Sequence, residues 1–126
     1  MKMICKAALT TLALLTPALA LADGAKDKEM TQLASKSGCF TCHSVEPGKP
    51  GPEGLPPIGP AWKDVAERYR GQKGAADNLL RLVLQGSNPY GSHWKGKVSG
   101  LAMPPNSVAI TEPDAKKLVG WILALK

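Results

Sequence analysis

Apolar positions recur at helical spacing in four stretches of this chain, and nowhere do they alternate convincingly as a half-buried strand requires. From Asp27 to Ser37, Met30, Leu33 and Ala34 share one face, and Gly38 supplies a stop. From Ala61 to Arg70, Trp62, Val65, Ala66 and Tyr69 fall at i, i+3, i+4 and i+7, with Gly71 beyond. From Gly74 to Gln85 the face is Ala76, Leu79, Leu80, Val83 and Leu84, closed by Gly86. The last helix opens at Thr111-Glu112-Pro113-Asp114, where Thr111 is an N-cap, Pro113 suits a first turn and Asp114 takes the capping-box position. It presents Ala115, Leu118, Val119, Ile122 and Leu123, with Trp121 beside them. The pattern predicts an all-α domain of about four helices.

Two segments break the pattern. Glu46 to Pro60 holds six prolines and four glycines, too many for regular structure, and Gly86 to Asn106 is rich in Gly, Ser, Asn and Pro. Long irregular connections in a small domain need a physical reason, and wrapping around a flat prosthetic group is one.

The first 22 residues read as a secretory signal peptide rather than as part of the fold. Lys2 and Lys6 are positive, Ala7 to Leu15 is mostly apolar, and Ala20-Leu21-Ala22 is an A-x-A cleavage site. The apolar run is too short for a permanent anchor. Cys5 lies inside the leader, before its apolar core, and reads as filler. Cleavage leaves residues 23–126, which is 104 residues and one domain. So small a domain is marginal on core burial alone, and a buried flat prosthetic group would supply much of the missing apolar interior. Loss of Lys2 and Lys6 takes the formal charge from +6 to +4. That moderate excess, without a dense basic run, excludes nucleic-acid binding and suits acidic protein partners.

The chemistry lies in Cys39-Phe40-Thr41-Cys42-His43. C-x-x-C-H is the attachment signature of a c-type haem: two thiols add to two porphyrin vinyl groups, and the adjoining imidazole reaches iron. A thioredoxin-like couple needs a βαβ context that is missing here. A zinc site from Cys39, Cys42, His43 and His93 fits tetrahedral spacing poorly, and a structural disulfide would not require His43.

Opposite His43 the candidates are Met30, Met103, His93 and lysines. Met30 lies nine residues before Cys39, on the helix leading into the motif, and reads as core. Met103 lies sixty residues beyond His43, and Pro104 and Pro105 stiffen the loop that must hold a weak thioether ligand. His93, in a flexible glycine- and serine-containing segment, is the competitor, and two histidines would lower the potential.

Gly38 to His43, Pro60 to Ala66, Leu80 to Ser87, Met103 to Asn106 and Leu118 to Lys126 together resemble the small bacterial class I cytochromes c of the c-551/c-552 type. The resemblance runs in order over most of residues 23–126. It implies an all-α class I cytochrome c fold with crossed first and last helices, wrapped around one haem c. Its iron would be held by His43 and Met103 and its ring anchored at Cys39 and Cys42. It also implies that the Pro60 carbonyl accepts the His43 ring N–H, that Asn106 supports the methionine sulfur, and that Arg81 and Trp94 face the haem propionates. The stretches Gly48 to Pro57 and Trp94 to Met103 are longer than in the short members. Attachment of haem outside the cytoplasm, which the family implies, agrees with the leader.

The expectation is therefore a monomeric periplasmic electron carrier, not an enzyme and not membrane-embedded. It would meet redox partner proteins in transient contacts steered by a rim of Lys49, Lys63, Lys73, Lys95 and Lys97, passing single electrons between respiratory-chain complexes and a terminal reductase or oxidase. The alternatives are a dedicated haem subunit of a larger oxidoreductase, for example in sulfur oxidation, which the proline-rich insertion suggests, and an enzyme or gas sensor with an open iron site.

Overall fold

A computed structural model of the chain describes residues 17–126, with side chains from residue 23 onward. The apolar run and Cys5 of the leader lie outside the described residues. Four α-helices follow in order: α1 (Pro17–Lys36), α2 (Trp62–Tyr69), α3 (Ala75–Gln85) and α4 (Glu112–Ala124). Among the described residues there is no strand, only an isolated bridge between Lys95 and Val98.

The periodic stretches became helices within a residue or two, apart from the start of α1. That helix begins at Pro17 rather than Asp27. Proline is tolerated in a first turn, and the Ala- and Leu-rich residues after it favour helix, so the backbone runs straight through the Ala20–Ala22 segment. In α3 the buried alanine is Ala75, not Ala76, because the helix enters the core at its first residue. Thr111 caps α4, accepting from the Asp114 N–H at 3.3 Å. The Asp114 carboxylate is one methylene shorter than glutamate and takes the Thr111 hydroxyl at 2.9 Å, so the box closes through side chains.

α4 is the element on which the other three pack. Its buried face is Ala115, Leu118, Val119, Trp121 and Ile122. Leu118 and Ile122 are each worth about 1.5–3 kcal/mol relative to exposure. Met30 and Ala34 of α1, Trp62, Val65 and Tyr69 of α2, and Ala75 of α3 complete one cluster. Met30 is 3 % exposed and serves as core, as its position predicts. Where α1 crosses α4, the Trp121 indole N–H donates to Asp27 at 2.7 Å, joining residues 94 apart in sequence.

Candidate haem site

α1 ends at Lys36, and two residues on Gly38, with φ of 75°, turns the chain sharply away from the helix. The next residues form a 3₁₀ turn, Cys39–Thr41, in which the N–H groups of Cys42 and His43 both donate to the Cys39 carbonyl, at 3.2 and 3.0 Å. One tight turn therefore carries both thiols and the imidazole. Both cysteines are free and half-buried. Burial pushes the Cys39 thiol above its ordinary value, a hydrogen bond to its own backbone opposes this, and the Cys42 thiol adds slightly to the rise.

His43 donates its Nδ1 hydrogen to the Pro60 carbonyl at 2.8 Å, which leaves Nε2 as the free nitrogen. Burial lowers the imidazole pKa, against the pull of the Pro60 carbonyl, so the ring is neutral at pH 7 as a metal ligand must be. Two further contacts fix its plane. Trp62 stacks on it with centroids 5.9 Å apart and planes 25° apart. Gly59 lies so close that a Cβ there would stand 2.7 Å from His43 Cε1. Trp62 also meets Phe40 at 5.1 Å and Trp121 edge-on at 5.8 Å, which ties the site to the core.

His43 opens onto a cavity of about 460 Å³, within the roughly 300–1,000 Å³ usual for cofactor pockets. Its wall is made by the two irregular loops and by α2, α3 and α4, with Ile58, Val65, Leu79, Leu82, Val98 and Ile122 among its apolar members. Cys42, Pro60, Arg81, Trp94 and Met103 line the same space. Arg81 is the one lysine, arginine or carboxylate residue on that wall among the described residues, and its guanidinium donates to Asn78 Oδ1 at 2.9 Å. A largely apolar cavity bordered by a neutral imidazole, a thioether and the Cys42 thiol, with Cys39 on the same tight turn, fits a covalently held porphyrin.

Met103 is half-buried, and its backbone is clamped from both directions by Ser87. Its N–H donates to Ser87 Oγ at 2.8 Å, and its carbonyl accepts the Ser87 N–H at 2.9 Å. Gly86, with φ of +84°, brings the end of α3 so close that a Cβ there would meet the Met103 carbonyl at 3.0 Å. Asn106 lies off the cavity wall. Its side-chain amide donates to the carbonyls of Pro104 at 2.6 Å and Val83 at 3.2 Å, so it braces the backbone of the methionine loop against α3.

His93 also borders the cavity, but its Nδ1 accepts from Arg68 at 3.2 Å and its ring meets the edge of Tyr69. Among the described residues no group of three or more His, Cys, Asp or Glu side chains converges as a metal site. Of the five rim lysines, Lys63 is bound to Glu46 at 2.7 Å and contributes no free charge, whereas Lys49, Lys73, Lys95 and Lys97 are exposed. Sequence reasoning gave Trp62 only a core role and assigned none to Gly59 or Ser87. Trp62 carried a signal, an aromatic residue two positions after Pro60, but Ser87 carried none before the loop path was known.

Residues 23–126 match the family model described as Cytochrome c. The chain is 42% identical over 93 residues to cytochrome c-551 of Allochromatium vinosum, covering 74% of this chain and 82% of that protein. It is 36% identical over 95 residues to cytochrome c-552 of Hydrogenobacter thermophilus, covering 75% and 80% respectively. The crystal structure of wild-type Nitrosomonas europaea cytochrome c552 aligns with a TM-score of 0.58 at 36% identity, covering 76% of this chain and 99% of that one.

Proposed function

Because the chain belongs to the cytochrome c family, whose members carry one covalent haem c, we propose that it is a periplasmic monohaem electron carrier with His43 and Met103 as axial ligands. The observation that carries this reading is that both residues border one cavity, each held by dedicated backbone contacts. Haem iron supplies the chemistry, a one-electron exchange between ferric and ferrous states. If His43 and Met103 both held the iron, no position would be left for a substrate, and outer-sphere transfer would be the chemistry the group supplies.

The residues of the chain set the terms of that exchange. The Pro60 carbonyl holds His43 in one tautomer and strengthens it as a donor. Met103 offers a soft sulfur that favours the ferrous state and raises the potential. Ser87 and Asn106 keep the loop from relaxing when the iron charge changes. Cys39 and Cys42 would anchor the ring, and Arg81 and Trp94, which line the cavity, would be the partners of its propionates. Lys49, Lys73, Lys95 and Lys97 steer acidic redox partners in brief contacts between a monomer and its donor or acceptor.

The family match begins at residue 23, directly after the Ala20-Leu21-Ala22 site, which supports a cleaved leader and export. Among the described residues no helix is long and apolar enough to cross a membrane. The insertion from Gly48 to Pro57 ends in a backbone hydrogen bond, the Ser99 N–H of the second loop donating to the Pro57 carbonyl at 2.9 Å.

The test is the absorption spectrum of the oxidised holoprotein. The weak red band of an iron–methionine sulfur bond is expected in the native protein and is lost in Met103→Ala. A native protein without that band, or one that binds carbon monoxide rapidly when reduced, refutes the closed site and turns the reading toward an enzyme or sensor.

A further inference from the structure

The two irregular loops are joined at one place. The Ser99 N–H donates to the Pro57 carbonyl at 2.9 Å, and the Gly100 N–H donates to the Ile58 carbonyl at 3.0 Å. The approach is so close that a Cβ on Gly100 would stand 2.5 Å from the Ile58 carbonyl oxygen and 3.2 Å from Ile58 Cγ2. The first contact is with backbone, which cannot swing aside as a flexible side chain does. On one side of this join, Gly59 donates to the Cys42 carbonyl at 2.8 Å and Pro60 accepts from His43. On the other side, three residues on, is Met103, anchored from behind by Ser87. Ile58, Gly59, Pro60, Gly100, Leu101, Ala102 and Met103 are all on the cavity wall.

We propose that the Pro57–Ile58 and Ser99–Gly100 join is a clasp that positions Met103 relative to His43, with Gly100 as the positioning residue that makes it possible. The inference rests on Met103 as the distal ligand. Without the clasp, the segment from Lys95 to Ala102 would be anchored to the His43 side of the cavity by nothing else in its backbone hydrogen bonding. With it, the loop that carries the sulfur is referenced to the loop that orients the imidazole. Segment length is thereby decoupled from ligand geometry, which is how an extended loop before Met103 keeps a defined end point.

The test uses the oxidised holoprotein and three variants: Gly100→Ala, Met103→Ala and Gly120→Ala. Gly120 lies on the exposed side of α4 with nothing within 4 Å of an added Cβ, so it controls for glycine replacement as such. Gly100→Ala is expected to retain covalent haem and helical circular dichroism, to lose most of the red iron–sulfur band, and to show a lower midpoint potential. Gly120→Ala is expected to keep both. A second measurement needs no variant: backbone amides of Ser99 and Gly100 are expected to exchange with deuterium more slowly than those of exposed Gly96 and Leu101, which have no backbone partner among the described residues. If the band is present in the native protein and lost in Met103→Ala, but unchanged in Gly100→Ala, the clasp is overturned and the ligand assignment stands. If the native protein lacks the band, the ligand assignment fails and takes the clasp with it. Unprotected Ser99 and Gly100 amides overturn the clasp even where Gly100→Ala does not fold.

Discussion

Replacing Asp27 by alanine is expected to loosen the crossing of α1 and α4 by about 1–2 kcal/mol. The Trp121 side chain is 4 % exposed, and its indole N–H has one partner, the Asp27 carboxylate at 2.7 Å. Leaving a buried donor without an acceptor costs about 1–3 kcal/mol, and the lower part of that range applies because Asp27 itself is exposed and water can enter behind it. For a domain of this size the loss corresponds to a fall of about 4–8 °C in Tm per kcal/mol. Asp27→Asn keeps an acceptor oxygen but loses the charge, and is expected to recover about half the loss. The assay is guanidinium unfolding of the holoprotein followed by far-ultraviolet circular dichroism, with covalent haem attached throughout. A double-mutant cycle with Trp121→Phe isolates the pair: in that background Asp27→Ala is expected to cost less than about 0.5 kcal/mol. Equal effects of Asp27→Ala in both backgrounds would show that the hydrogen bond is not the source, and the reasoning fails.

Thr111→Ala is expected to destabilise α4 by about 1 kcal/mol, read in the same unfolding assay, and a variant as stable as the native protein refutes the cap. Asp114 is held below its ordinary value of 3.8, first by the Thr111 hydroxyl and then by Lys117. Its contribution is therefore present above that value and lost as pH falls through the lower folded value, so the stability gap between native protein and Asp114→Asn should close on acidification; a gap constant with pH contradicts this. Gly59→Ala places a methyl 2.7 Å from His43 Cε1 and 2.9 Å from Nδ1. The expected result is a broken Pro60 bond, a weaker imidazole donor and a higher midpoint potential by voltammetry; an unchanged or lower potential counts against it. Second-order electron transfer with an acidic partner should slow as ionic strength rises, since screening shortens to about 10 Å at 0.1 M, and Lys95→Ala with Lys97→Ala should flatten the dependence. Rates indifferent to salt exclude steering.

Much of this architecture is legible in the chain before folding. The faces of α2 and α4 follow from Trp62, Val65, Tyr69 and from Leu118, Val119, Ile122, because amphipathic spacing and burial are the same information. The motif at Cys39–His43 is legible because its chemistry demands fixed neighbours. The start of α1 is not, since nothing between Pro17 and Asp27 stops a helix and apolar periodicity is weak there. Lys63 was read as a free charge because its partner Glu46 lies on a loop whose path only the fold reveals. Ser87 and Gly100 escaped for a related reason. Their work is done by backbone N–H and C=O groups, which every residue carries and no side-chain pattern announces.

The chain has three tryptophans, and all of them gather at one place: Trp62 and Trp94 on the cavity wall, Trp121 against Trp62. A haem in that cavity would therefore lie within easy transfer distance of their excited states, and a correctly assembled molecule would be dark under ultraviolet excitation. Light emitted by a preparation comes from chains that never received their pigment or have let go of its surroundings. Brightness is thus a direct count of defective molecules, available without any added label.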